Sequence, residues 1–182
     1  MLFPKFAAVF AAFAAAGASA QKCKCKSNPC TTNLVKNGDF DDPLDGSPWV
    51  FKNMEITEIK PRSSPQAALA SIKNDIEIHS IEQPITLIEG KKYALRYYYA
   101  IISGTVPTAA ECGIIAQVDN SIVDVNPLIT TQLGKYILHE WTFTAAATSE
   151  LKITVECTKA GATVDVNLDD ISIYPSSCLI VE

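Results

Sequence analysis

Four aspartates crowd one short stretch, NLVKNGDFDDPLDGSPW (residues 33–49): Asp39, Asp41, Asp42 and Asp45. A second acidic pair, Asp169 and Asp170, lies in VNLDDISI near the other end of the chain. Carboxylates gathered in this way can hold a hard cation such as calcium, which collects about six to eight oxygens from carboxylates and backbone carbonyls. They can also act as an acid/base pair, which in glycoside hydrolysis needs two carboxyls about 5–9.5 Å apart. The plainest alternative is that the aspartates hydrogen-bond neighbouring amides in a turn, and Asp42 and Asp45 take that reading. Nucleophilic chemistry has no support, since the chain has no Gly-x-Ser-x-Gly elbow. His79 and His139 sit in strand-like runs and read as strand residues.

The elements that would position these groups are extended. In KKYALRYYYAII (91–102), Tyr93, Leu95, Tyr97, Tyr99 and Ile101 share one face, and Arg96 and Tyr98 lie on the other. Arg96 marks its face as the wetter one, because an unpaired buried guanidinium is costly. ECGIIAQVD (111–119) and ELKITVECT (150–158) alternate in the same way. Their apolar registers carry Cys112 and Cys157, and their outward faces carry Gln117, Asp119 and Glu156. Further strands are predicted at 56–60, 66–73, 76–88, 136–144 and 164–174, with a loop at 103–110. No segment after residue 20 has a helical period. The fold class that follows is all-β, a sandwich of two antiparallel sheets.

Aromatic rings beside polar groups on an outward face can hold a ligand. Arg96, Tyr98, Gln117, Asp119 and Glu156 are the candidates on outward faces, and Trp49 is a candidate in a loop. Trp141 is in register with Ile137 and Phe143 and is expected in the core.

Residues 1–20 read as a secretory leader, with Lys5, an apolar run from Phe6 to Ala16, and small residues up to a cleavage point after Ala20. That run is too short to span a bilayer, which takes about 20 apolar residues. A secreted, extracellular chain is expected. Residues 21–32 form a cysteine-rich N-terminal arm, and 33–182 form a single domain. All six cysteines follow the leader, and an even count in a secreted chain points to disulfides. Cys112 should pair with Cys157, and Cys178 with one of Cys23, Cys25 or Cys30. The net charge of −5 gives no grip on nucleic acid or anionic membrane. A monomer is expected.

Three segments in order carry a resemblance. They are Asn33-Leu34-Val35 with Asn37-Gly38-Asp39-Phe40-Asp41, then Ser80–Pro84 with Leu87–Leu95, then Phe143-Thr144-Ala145 with Leu168–Ile173. Together they resemble the CenC-type carbohydrate-binding modules (CBM4/9-like) of the galactose-binding-like jelly-roll group, over most of residues 33–174. The cysteine-stapled ends look like those of secreted fungal members. The resemblance implies a jelly-roll β-sandwich whose first and last strands are neighbours. It implies binding of cell-wall polysaccharide or another glycan without catalysis. It also implies a structural Ca2+ held by Asp41, by Asp169 or Asp170, and by carbonyls near Asp39. Two departures stand out. Asp41 is shorter than the glutamate usual there, and the loop Arg62–Ala67 lacks the acid that relatives often supply. The alternative function is a secreted structural or protein-interaction sandwich without sugar binding. A hydrolase, or a hydrolase accessory, is a more distant one.

Overall fold

β-branched and aromatic residues alternating with polar ones favour extended chain with one buried face. In the computed structural model, ten strands of this kind among the described residues make two antiparallel sheets. It describes residues 32–42, 47–63, 65–73, 78–105, 111–128, 133–146, 150–158 and 161–178. The leader, nearly all of the arm, and Cys23, Cys25, Cys30 and Asp45 lie outside these residues.

In chain order the strands are β1 (Val50–Lys52), β2 (Met54–Thr57), β3 (Ala67–Lys73), β4 (His79–Pro84), β5 (Lys92–Thr105), β6 (Cys112–Val118), β7 (Ser121–Pro127), β8 (Ile137–Thr144), β9 (Glu150–Cys157) and β10 (Thr163–Pro175). One sheet runs β1-β4-β9-β6-β7 and the other β2-β3-β10-β5-β8. The inward faces meet in one core. Tyr93, Leu95, Tyr97, Tyr99 and Ile101 of β5 face Ile114, Ile153 and Val155 from the other sheet. Cys112 and Cys157 stand opposite each other in the β6–β9 register and are bonded, as the alternation requires. Cys178 is also in a disulfide, and the partners proposed for it lie outside the described residues.

The sequence reading missed two strands. β1 is only three residues long. β7 was hidden because its inward positions hold Asp124 and Asn126, so its polar residues are the buried ones. Its signal is the two-residue turn Asp119-Asn120, where both residues have positive φ (54° and 61°), as a tight hairpin turn of this hand requires. The loop expected at 103–110 begins late, because β5 continues to Thr105.

The opening segment lies beside the closing strand, so the two ends of the domain do meet. The Leu34 N–H donates to the Ile173 carbonyl at 3.0 Å, and the Ile171 N–H donates to the Gly38 carbonyl at 2.8 Å. Asn33 caps the junction, accepting from the Ile173 N–H at 2.9 Å and donating to the Ile171 carbonyl at 3.0 Å. Gly38 is required here: a Cβ would come within 2.0 Å of the Ile171 carbonyl oxygen. At this junction β10 is bulged between Asp169 and Ser172, with Asp170 at φ 50°. A bulge re-aims side chains, and this one turns Asp170 towards the outer face of the second sheet.

Candidate functional site: a cleft between the opening turn and the second sheet

The turn Asn37–Phe40 is clamped by its own amides. Asn37 Oδ1 accepts from the Asp42 N–H at 2.9 Å, and the Asn37 carbonyl accepts from Trp49 Nε1 at 2.8 Å. Asn37 and Phe40 both have positive φ. Asparagine tolerates this conformation, whereas phenylalanine is held in it by burial against Trp49, with ring centroids 5.6 Å apart. Trp49 is therefore an anchor and not a ligand platform, being only 6% exposed.

This turn walls a cleft of about 500 Å³. Its floor is the outer face of the second sheet, with Arg96 and Tyr98 from β5 and Ser172 and Tyr174 from β10. Asn37, Asp39 and Asp42 come from the turn, and Arg62 and Asp170 complete the lining. The carbon at the centre of the Arg62 guanidinium stands 3.4 Å from the centroid of the Tyr98 ring, a cation–π stack. Arg62 also forms an ion pair with Asp170, and Arg96 forms one with Glu140. Cleft and pairs are partly open to solvent, which limits what each pair contributes to stability.

The closing acids serve the loop before β3. Asp169 is fully buried. Its Oδ2 accepts from the backbone N–H of Arg62 at 2.7 Å and of Ser63 at 3.1 Å, and its Oδ1 accepts from the N–H of Asp170 at 2.8 Å. Ser63 Oγ donates to Asp170 Oδ1 at 3.0 Å. Burial pushes the Asp169 carboxyl up to about 6; the Arg62 N–H opposes this and the neighbouring Asp170 charge adds to it. These oxygens face N–H and O–H donors, and a guanidinium already neutralises Asp170. Such an arrangement does not fit a calcium ion, which needs several oxygens free to ligate it. Asp39 and Asp41 are exposed, and Asp39 Oδ1 is 3.5 Å from the Asp41 N–H, at the long limit for a turn hydrogen bond. Among the described residues no three His, Cys, Asp or Glu side chains converge as a metal site.

The six residues considered for sugar contact divide between places. Arg96 and Tyr98 come together in the cleft. Gln117 and Glu156 lie on the outer face of the other sheet, beside a depression of about 270 Å³ with Ile78, Ile115, Ile122 and Lys152. Asp119 ties its hairpin turn to the start of β9, its Oδ1 accepting from the Glu150 N–H at 2.9 Å. Trp49 is buried. Alternation gives the face of a strand but not its sheet, so it cannot say which of the outward positions meet. Trp141 corrects another expectation: β8 is an edge strand, and the ring is 51% exposed rather than in the core. The sequence reading missed Arg62, Ser172, Tyr174 and Asn37 as cleft residues.

A second polar cluster lies between the sheets at their β7–β8 edge. The Tyr97 hydroxyl donates to Asp124 Oδ2 at 2.8 Å, and His139 Nδ1 lies 2.6 Å from the same oxygen. Burial and the Asp124 charge raise the Tyr97 phenol far above its ordinary range, so it stays protonated. His139 is thus a strand residue with an engaged ring, and His79 Nδ1 is likewise 2.6 Å from the Asn53 carbonyl.

No family model and no curated protein matches the chain. Solved structures do. The C-terminal family 22 carbohydrate-binding module of Clostridium thermocellum Xyn10B aligns at TM-score 0.57 and 8% identity, covering 81% of this chain and 98% of that one. A family 16 carbohydrate-binding module aligns at TM-score 0.53 and 18% identity, covering 78% of this chain and 99% of that one. A CBM4 module aligns at TM-score 0.51 and 15% identity, with coverage of 78% and 99%. Other matched structures are segments of much longer chains that include enzymes. At these identities the likeness shows the fold, a jelly-roll sandwich of the kind found in carbohydrate-binding modules.

Proposed function

We propose that this protein is a secreted, non-catalytic carbohydrate-binding sandwich and that glycan chains lie in the cleft over Tyr98. The observation that carries this reading is the composition of the cleft. Two tyrosines stand among arginine, aspartate, asparagine and serine side chains, a set suited to a sugar's apolar face and its ring of hydroxyls. The sandwiches it resembles include modules of families 4, 16 and 22, which are named for carbohydrate binding. Secretion rests on the leader pattern and the paired cysteines. No helix among the described residues is long and apolar enough to cross a membrane.

Binding without cleavage is supported by the state of the closing acid pair. Asp169, whose proton affinity is raised, is fully buried and saturated by backbone donors, and Asp170 is paired with Arg62. Neither is poised as a general acid facing a substrate. The test is a pull-down on insoluble cell-wall polysaccharides, with Tyr98→Ala as control. Wild-type retention that the variant loses, at unchanged melting temperature, supports the reading.

A second reading has its own observation. The first sheet exposes Ile122 (61%) and Ile78 (42%) at one depression and Val125 (60%) at another, with no aromatic ring lining either. Aliphatic patches suit protein contact better than pyranose stacking. Ile122→Asp that abolishes binding to a cell-wall fraction, while Tyr98→Ala does not, would favour this protein-interaction role.

A further inference from the structure

We infer that the cleft prefers glycans bearing free amino groups, that is, polymers of 2-amino-2-deoxy sugars, and that Arg62 is an internal competitor for the place the ammonium takes. The inference rests on the carbohydrate-binding reading above and narrows its ligand class.

The argument begins with what the cleft already holds. A cation, the Arg62 guanidinium, is stacked on the Tyr98 ring and paired with the Asp170 carboxylate. A flat aromatic face beside a carboxylate is a place for a group that is cationic on one side and apolar on another. The pyranose ring of an amino sugar is such a group: its C–H face can lie on tyrosine while its ammonium meets the acid. Arg62 is only loosely held there, since its side chain is 37% exposed, and exposed ion pairs exchange at little cost. Its backbone N–H, which anchors the loop to Asp169, does not depend on the side chain.

Charge balance points the same way. The charged groups facing the cleft are Asp39, Asp42, Asp170, Arg62 and Arg96. Arg96 is neutralised by Glu140 and Arg62 by Asp170. That leaves Asp39 and Asp42, both exposed, without a cation among the described residues. The wall is therefore negative. It repels uronates, tolerates neutral sugars and attracts ammonium groups. If a ligand amine displaces Arg62 from Asp170, the ion pair is exchanged rather than lost. The freed guanidinium moves into solvent.

The test is calorimetric titration at about pH 5, close to the sequence pI of ≈ 5.1, so that the chain's overall charge does not attract polycations indiscriminately. Amines are protonated there, and ordinary aspartates are ionised. The probes are a fully deacetylated β-1,4-glucosamine hexamer, cellohexaose and a galacturonate hexamer. The glucosamine hexamer is expected to bind roughly tenfold more tightly than cellohexaose, the size of one favourable partly screened charge contact. The uronate is not expected to bind, and added salt should close the gap. Arg62→Ala should tighten binding of the glucosamine hexamer several-fold. Asp170→Asn should weaken it, and asparagine keeps the left-handed backbone of that position. Tyr98→Ala should abolish it, which indiscriminate polyelectrolyte attraction would not show. Arg62→Gln, which keeps a long polar side chain without charge, replaces Arg62→Ala if melting shows that variant unfolded. Equal affinity for the amino and neutral hexamers overturns the preference and leaves the carbohydrate reading standing, as does an Arg62 variant without effect. Binding of none of the three overturns both.

Discussion

At the scale of single residues, the acids that invite a metal reading turn out to be partners of donors. Asp169 collects backbone N–H groups from Arg62 and Ser63, and Asp170 collects the Arg62 guanidinium. A chelator such as EDTA should therefore leave the melting temperature of the protein unchanged, and a fall of several degrees that calcium reverses would contradict this donor arrangement. The Tyr97–Asp124–His139 cluster makes a sharper demand. Tyr97→Phe leaves a buried carboxylate without one of its donors, which costs about 1–3 kcal/mol. Chemical denaturation of the variant measures that loss, and a neutral substitution would show that Asp124 is hydrated in place. Residue identity alone exposed little of this. The wetter face of β5 was legible because Arg96 marks it, and Tyr98 followed by alternation. Arg62 was not, since it stands in an irregular loop where no period says which way a side chain points.

Elements set which of these residues meet. The opening turn reaches the cleft because Gly38 lets the backbone approach β10, with a Cβ position only 2.0 Å from the Ile171 carbonyl oxygen. Gly38→Ala must push the two strands apart. It should lower the melting temperature by several degrees, at roughly 2–4 °C per kcal/mol for a chain of this size. An unchanged melting curve would mean the turn is not seated on β10 in solution. The disulfide between Cys112 and Cys157 joins neighbouring strands of one sheet. Its pairing was legible because both cysteines fall in the apolar register of their strands. β7 was illegible for the opposite physical reason: Asp124 and Asn126 take inward positions that alternation assigns to apolar residues. The β10 bulge likewise breaks the period at Asp169 and Asp170, the pair whose directions mattered most to the site.

Across the whole molecule, the sandwich offers two broad outer faces with different chemistry. One carries the aromatic and charged cleft at Tyr98, the other an aliphatic surface around Ile122 crossed by the Lys152–Glu82 ion pair. The all-β class could be read from strand periodicity, and the meeting of the opening segment with the closing strand from the motifs at 33–41 and 168–173. The assignment of strands to sheets could not, because pairing is fixed by contacts between segments far apart in sequence. Gln117 and Glu156 of β6 and β9 therefore stand on the other sheet from Tyr98 of β5, a separation that alternation along single strands does not reveal. The most direct measurement is therefore backbone-resolved NMR titration of the protein with soluble cell-wall oligosaccharides. The account predicts shifts centred on Arg62, Arg96, Tyr98 and Ser172, with Gln117 and Glu156 unmoved. Shifts centred on Gln117, Ile122 and Glu156, or none with any glycan, would contradict it.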